Sequence, residues 1–186
     1  MLNVYKKIDN AIQNNNVTQL KLLLKSQDLD INYNDGIIIR QACILGRIDI
    51  VKILIKYKDI ELLLHSSDPI TLAAHRGHVE VVKLLLKNKK INKENAPNSA
   101  IIYSVQNGEK ESVKLLMKDK RFNPSAHNNS AILCAFESER QDLVQLLWSD
   151  QRVKNELEKK KNQFYNKKLY QELTKMDNTI NKIQSF

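Results

Sequence analysis

The side chains whose type and spacing could do chemistry are few. His75 and His78 form a His-x-x-His pair, which could offer two imidazoles to a metal ion. A structural zinc site needs four donors, and no cysteine or third histidine lies nearby in sequence. The pair therefore points to a structural role, and His65 and His127 fall in separate, solvated loops. Acidic residues are scattered singly, which leaves no pair to divide between general acid and general base. The GxxxxGK, GxGxxG, HExxH, CxxC and GxSxG patterns are all missing. Cys43 and Cys134 are expected to be free buried thiols rather than a disulfide. No enzyme, cofactor or metal is expected.

The one basic concentration is Lys159-Lys160-Lys161 with Lys167-Lys168, interleaved with Phe164, Tyr165 and Tyr170. Such lysines could contact phosphates or anionic lipid, and the rings could stack on bases. The competing reading is the wet side of a helix whose opposite face is buried, since no nucleic-acid-binding motif accompanies the charge.

The elements that position these residues follow from Ile70 to Leu86. Apolar residues recur there at helical spacing on both sides of Arg76-Gly77-His78, which predicts two short amphipathic helices joined at a glycine able to take the left-handed conformation. The pattern repeats every 31 positions without a gap, as in Ile8, Ile39, Ile70, Ile101 and Ile132, or Leu23, Leu54, Leu85, Leu116 and Leu147. A small-residue column runs through Ala11, Ala42, Ala73, Ser104 and Ala135, and a turn column through Asn15, Gly46, Gly77, Gly108 and Glu139. A fixed period of this size predicts a solenoid, in which each unit buries its apolar faces against its neighbours. Asn15 tolerates the left-handed region, whereas Glu139 should be strained there by about 1 kcal/mol.

These residues resemble the ankyrin-repeat family. Asp68-Pro69-Ile70-Thr71-Leu72-Ala73-Ala74 lies on the family's Thr-Pro-Leu-His-Leu-Ala-Ala, and Gly77 to Leu85 on its Gly-His-Leu-Glu-Val-Val-Lys-Leu-Leu. His78 matches the family's structural histidine. The resemblance covers roughly residues 4 to 154; only Pro69 keeps the proline, Glu139 replaces the turn glycine, and the period is 31 against about 33. It implies an all-α ankyrin-repeat solenoid over 1–154, in five units of about 4–34, 35–65, 66–96, 97–127 and 128–154. The shortened units, rich in Asn, Lys and Ile, are similar to arrays of amoebae and their large DNA viruses.

The chain has 186 residues, 42% of them hydrophobic, and a net charge of +9, enough for one packed domain. Part of that charge reflects the use of lysine throughout. No leader pattern and no apolar run near 18 residues is present, so a cytoplasmic location is expected, in the host cell if the source is viral. Ile60-Glu61-Leu62-Leu63-Leu64 is apolar for a loop and is expected to tuck beneath its neighbours. Ser130 is placed to cap the fifth first helix. From 155 to 186 the columns fail, while Tyr165, Leu169, Leu173, Met176, Ile180 and Ile183 share one helical face. This predicts one long basic amphipathic helix turned back, at least partly, on the last unit near Trp148, with Lys161, Lys167 and Lys168 toward solvent; the competing outcome is a projecting helix whose free stripe binds a partner helix, a membrane or its own copy.

In ankyrin arrays the concave face, lined by first-helix residues and fingers, holds a protein partner. The resemblance places on it the two residues before each turn: Gln13 and Asn14, Ile44 and Leu45, His75 and Arg76, Gln106 and Asn107, Glu137 and Ser138. The row is close to neutral, with an apolar spot at Ile44-Leu45 beside His75-Arg76, which suits a protein surface rather than a phosphate groove; the competing reading of Ile44 and Leu45 is packing beneath the fingers. The expected function is a non-catalytic, monomeric protein-interaction scaffold with a partner of unspecified identity. The second reading is a binder of anionic polymer or membrane surface through the 155–186 helix.

Overall fold

The computed structural model describes residues 2–25, 29–62, 68–90, 97–160, 167 and 169–175. Among these residues every regular element is helical. The helices come in pairs: α1 (Leu2–Gln13) with α2 (Val17–Leu23), α3 (Tyr33–Ile44) with α4 (Ile48–Leu54), and α5 (Pro69–His75) with α6 (Val79–Leu86). Then follow α7 (Ser99–Asn107) with α8 (Lys110–Lys118), α9 (Ala126–Glu137) with α10 (Gln141–Trp148), and α11 (Gln151–Lys159). None is longer than 12 residues, short of what an isolated helix needs in water. Their stability comes from packing.

Two compact units result, Met1–Phe122 and Asn123–Phe186. In the first, α1, α3, α5 and α7 pack in succession, and α2, α4, α6 and α8 form a second layer. Ile39, Ile70 and Ile101 from the first layer and Leu54, Leu85 and Leu116 from the second are fully buried. The buried Ala11, Ala42, Ala73 and Ser104 keep neighbouring first helices close. Ser104 satisfies its hydroxyl by donating to Ala100 O at 2.7 Å. Ile60 and Leu62 are buried as expected, whereas Ile91, His65, Leu63 and Leu64 lie outside the described residues.

Every pair closes with the same turn. Asn15, Gly46, Gly77, Gly108 and Glu139 have φ of +52°, +65°, +68°, +77° and +56°. The next N–H bonds the small-residue carbonyl five positions back: Asn16 to Ala11, Arg47 to Ala42, His78 to Ala73, Glu109 to Ser104 and Arg140 to Ala135, at 2.7–2.9 Å. This is a Schellman closure, which satisfies helix-end carbonyls and reverses the chain. A Cβ on Gly46 would lie 2.5 Å from the His78 ring, and one on Gly77 would lie 2.1 Å from the Glu109 carboxylate. Glycine there also leaves room for the following pair.

A second left-handed device was not legible in the period. Asn34-Asp35-Gly36 and His127-Asn128-Asn129 each place three successive residues at φ between +52° and +65°, just before the regular part of α3 and α9. Asn129 is buried there, and both polar atoms of its amide lack a partner. Ser130 does not serve as the expected N-cap; its hydroxyl donates to His127 O, because the left-handed turn already directs the chain into the helix. Cys43 is buried, and burial pushes its thiol pKa up. Cys134 is only half-buried, a correction to the expectation.

The outer ends of the second helices are tied by a ladder. Arg121 grips Asp119 with a guanidinium fork, Nε to Oδ1 at 2.9 Å and Nη2 to Oδ2 at 2.6 Å, and donates onward to Asn88 O at 3.3 Å and to Leu86 O. Lys90, one period earlier, donates to Lys58 O at 2.7 Å and Ile60 O at 2.5 Å. Arg121 thus closes the carbonyl end of α6, and Lys90 ties down the loop that follows α4. Arg152 and Asp150 repeat the fork at 3.0 and 2.7 Å in the second unit.

In that second unit α11 packs on α9 and α10 and buries Val153 and Leu157. It starts before the expected boundary at 155 and closes at Lys160. The expectation of one uninterrupted helix from 155 to 186 is therefore corrected. Tyr170 donates to the Glu158 carboxylate and sets its ring edge-on to Trp148, centroids 6.5 Å apart. A straight helix would separate positions 158 and 170 by about 18 Å. Helical residues 169–175 bury Leu169 and Leu173; Lys167 is exposed, and Lys161, Tyr165, Lys168, Met176, Ile180 and Ile183 lie outside the described residues.

Two outcomes follow from these geometries. Glu139→Gly removes a left-handed strain at an exposed site and should stabilise the fold by about 0.5–1 kcal/mol after glycine's unfolded-state entropy is subtracted; chemical denaturation with an unchanged or lower midpoint would contradict this. The Arg121 hydrogen bonds hold the Asp119 carboxyl below its usual range. A lowered folded pKa contributes stability above the unfolded value near 4 and loses it as pH falls through the folded value. Melting temperature should therefore fall less steeply from about pH 4.5 to pH 2 in Asp119→Asn than in wild type, with the variant the less stable at pH 7.

Candidate functional site

In the Met1–Phe122 unit the turn closure delivers the C-terminal residues of the first helices to one edge of the stack. At that edge helix carbonyls would be left without partners, and the following pair supplies donors. Arg47 donates to Ile12 O at 3.2 Å and to Gln13 O at 2.6 Å. His78 Nε2 meets Ile44 O at 2.8 Å. Since a carbonyl only accepts, Nε2 carries the proton, and His78 acts as a cap between pairs.

The structure treats the ten expected contact residues unevenly. Gln13 is exposed, but its amide donates to Asp9 at 2.8 Å, and the exposed Asn14 donates to Asn10 O at 2.9 Å. Ile44 and Leu45 are half-buried rather than an open apolar spot. Gln106 is exposed. Glu137 and Ser138 are exposed in the second compact unit, where Glu137 lines an open groove with Phe136, Glu139, Gln141 and Glu172.

His75, Arg76 and Asn107 form a built patch instead. His75 Nδ1 donates to Tyr103 O at 3.2 Å, and the two rings meet edge to face with centroids 6.0 Å apart at 81°. Asn107 Nδ2 donates to His75 O at 2.7 Å and lies 3.4 Å from His75 Nε2. The neutral tautomer protonated on Nδ1 satisfies both contacts. Arg76 beside them is exposed, while Leu72 is half-buried. α5 and α7 thereby hold an imidazole, a phenol ring and a carboxamide in fixed orientation.

Tyr103 is the residue that the sequence reading missed. It is 44% exposed, among the largest apolar side chains left open in the described structure. It occupies the column of Asn10, Gln41, Leu72 and Cys134, one helical turn before the row of Gln106. An aromatic ring where the other pairs carry smaller or polar groups was the available signal.

Each histidine of the His-x-x-His pair donates one ring N–H to a backbone carbonyl of another pair, His75 to Tyr103 O and His78 to Ile44 O. Among the described residues no group of three His, Cys, Asp or Glu side chains could hold a metal ion. Of the basic cluster, Lys160 pairs with Glu156 at 2.8 Å and donates to Asn128, and Lys159 lies 3.9 Å from Glu156. Lys154 sits 4.9 Å over the Trp148 ring. No described helix is long and apolar enough to cross a membrane.

A family model for ankyrin repeats, in three copies, matches residues 8–95 and 73–157. No curated protein matches the chain. The matched span includes every residue of the patch.

The contacts around Trp148 make the tail testable. Removing residues 161–186 should lower the melting temperature by several degrees, as expected for about 1–2 kcal/mol lost in a chain of this size, and should red-shift Trp148 fluorescence. An unchanged melting curve and emission maximum would show that residues 169–175 do not cover the last pair.

Proposed function

The chain belongs to the ankyrin-repeat family, and from that premise we propose that it is a non-catalytic scaffold that binds a partner protein on the concave, first-helix face. The observation that carries this reading is the Tyr103 patch. Tyr and Arg dominate the energetics of protein interfaces because a rigid ring or a planar guanidinium buries much surface at low entropic cost. Tyr103 is 44% exposed yet held by the His75 ring, so little order remains to be lost on binding. Gln13, Asn14, Ile44, Leu45 and Gln106 complete the face of the Met1–Phe122 unit as rim.

A cytoplasmic setting suits the free thiols of Cys43 and Cys134. The alternative, an anionic polymer or membrane bound through the basic tail, is supported less, since Lys159 and Lys160 are engaged with Glu156.

Site-specific photo-crosslinking in cells tests the proposal. A benzophenone amino acid placed at position 103 should capture a discrete protein, and the same group at position 22, where Leu22 is 65% exposed on α2, should not. Capture from position 22 or 167 with none from 103 would overturn the reading.

A further inference from the structure

We infer that the partner segment received by the Tyr103 patch is acidic: a peptide stretch that brings an Asp or Glu carboxylate to Arg76 while an adjacent apolar or aromatic side chain packs on Tyr103 and Leu72. This rests on the protein-binding reading above and adds the chemistry of the occupant.

Charge supplies the first reason. In the Met1–Phe122 unit the three first-helix columns represented by Leu72, His75 and Arg76 contain no aspartate or glutamate, and Arg76 is their only cation. Arg76 is exposed and forms no ion pair among the described residues. The Glu109 carboxylate lies against Gly77, and among the described residues it makes no salt bridge to Arg76. The other arginines of this unit are committed: Arg40 to Asp35 at 3.8 Å, Arg47 to the α1 carbonyls and Arg121 to Asp119. A guanidinium is suited to bidentate carboxylate recognition, and Arg76 follows Leu72 by one helical turn, with Tyr103 in the Leu72 column of the next first helix.

The surroundings supply the second reason. A single guanidinium flanked by a phenol ring, an imidazole whose Nδ1–H is given to Tyr103 O, and a carboxamide is a poor match for a polyanion, which needs several cations in a row. It matches one carboxylate bordered by apolar surface. Half-buried Leu72 and exposed Tyr103 provide that surface, and the ring shields the ion pair from water, which strengthens it.

Selection of a random peptide display library against the full-length protein tests the inference. Enriched peptides are expected to carry Asp or Glu next to an aromatic or aliphatic residue. Their affinity should fall at least about tenfold on Arg76→Glu and on Tyr103→Ala, and less on Arg76→Lys, with unchanged circular dichroism; Arg76→Gln serves as a second variant if Arg76→Glu alters the fold. Enriched peptides that depend on Tyr103 but lack acids and ignore Arg76→Glu would overturn the inference and leave the protein-binding face standing. Peptides that depend on neither residue would overturn both. Binding of fluorescent DNA or RNA oligonucleotides that competes with the peptides and is lost on Arg76→Glu would also overturn it, by making phosphate the ligand.

Discussion

The structure depends on one backbone event, the left-handed residue that ends each first helix. With φ between +52° and +77° at Asn15, Gly46, Gly77, Gly108 and Glu139, the following N–H reaches back to a small residue one turn into the helix. That bond removes a dangling carbonyl and turns the chain by a set amount. The second helix is then aimed before any side chain of a neighbouring pair is met. Because the accepting residue is Ala or Ser, the next first helix can approach the same turn.

Close approach allows successive pairs of the Met1–Phe122 unit to complete one another. Arg47 and His78 close the carbonyl ends of the first helices behind them, Arg121 does so at the end of α6, and Lys90 holds the loop after α4. These carbonyls thus exchange water for a protein donor when the following pair is in place. Since a typical hydrogen bond contributes about 0.5–1.5 kcal/mol net, pairs of helices of seven to twelve residues gain stability from their neighbours. Nearest-neighbour coupling of this kind is how repeat arrays gain cooperativity without long-range contacts.

The open face is a by-product of the same closure. The residues before each turn must emerge at one edge, and what differs between pairs is which side chains the neighbours commandeer. Around α1 they are used locally, by Asp9 and Asn10; at α3 the carbonyl of Ile44 is spent on His78. Between α5 and α7 the contacts fix His75, Asn107 and Tyr103 while leaving Arg76 and the Tyr103 ring to solvent. The distinctive surface arises where the repeat is least uniform.

The helical pairing, the turn column and the buried columns were all legible in the chain, because each is a local or one-period property that hydrophobic spacing and glycine record directly. The Asp119–Arg121 and Asp150–Arg152 forks were also readable as Asp-x-Arg one period apart, though nothing in the spacing says which carbonyls the guanidinium of Arg121 reaches. Three things were settled only by packing. Ile44 and Leu45 are half-buried and Tyr103 is open, since exposure depends on the neighbour's side chain and not on the column. The chain entering α3 and α9 takes three left-handed residues, which follow from loop closure rather than period. The tail brings Tyr170 to Trp148 and Glu158, because an amphipathic stripe states that a face must be covered and only the folded chain states by what.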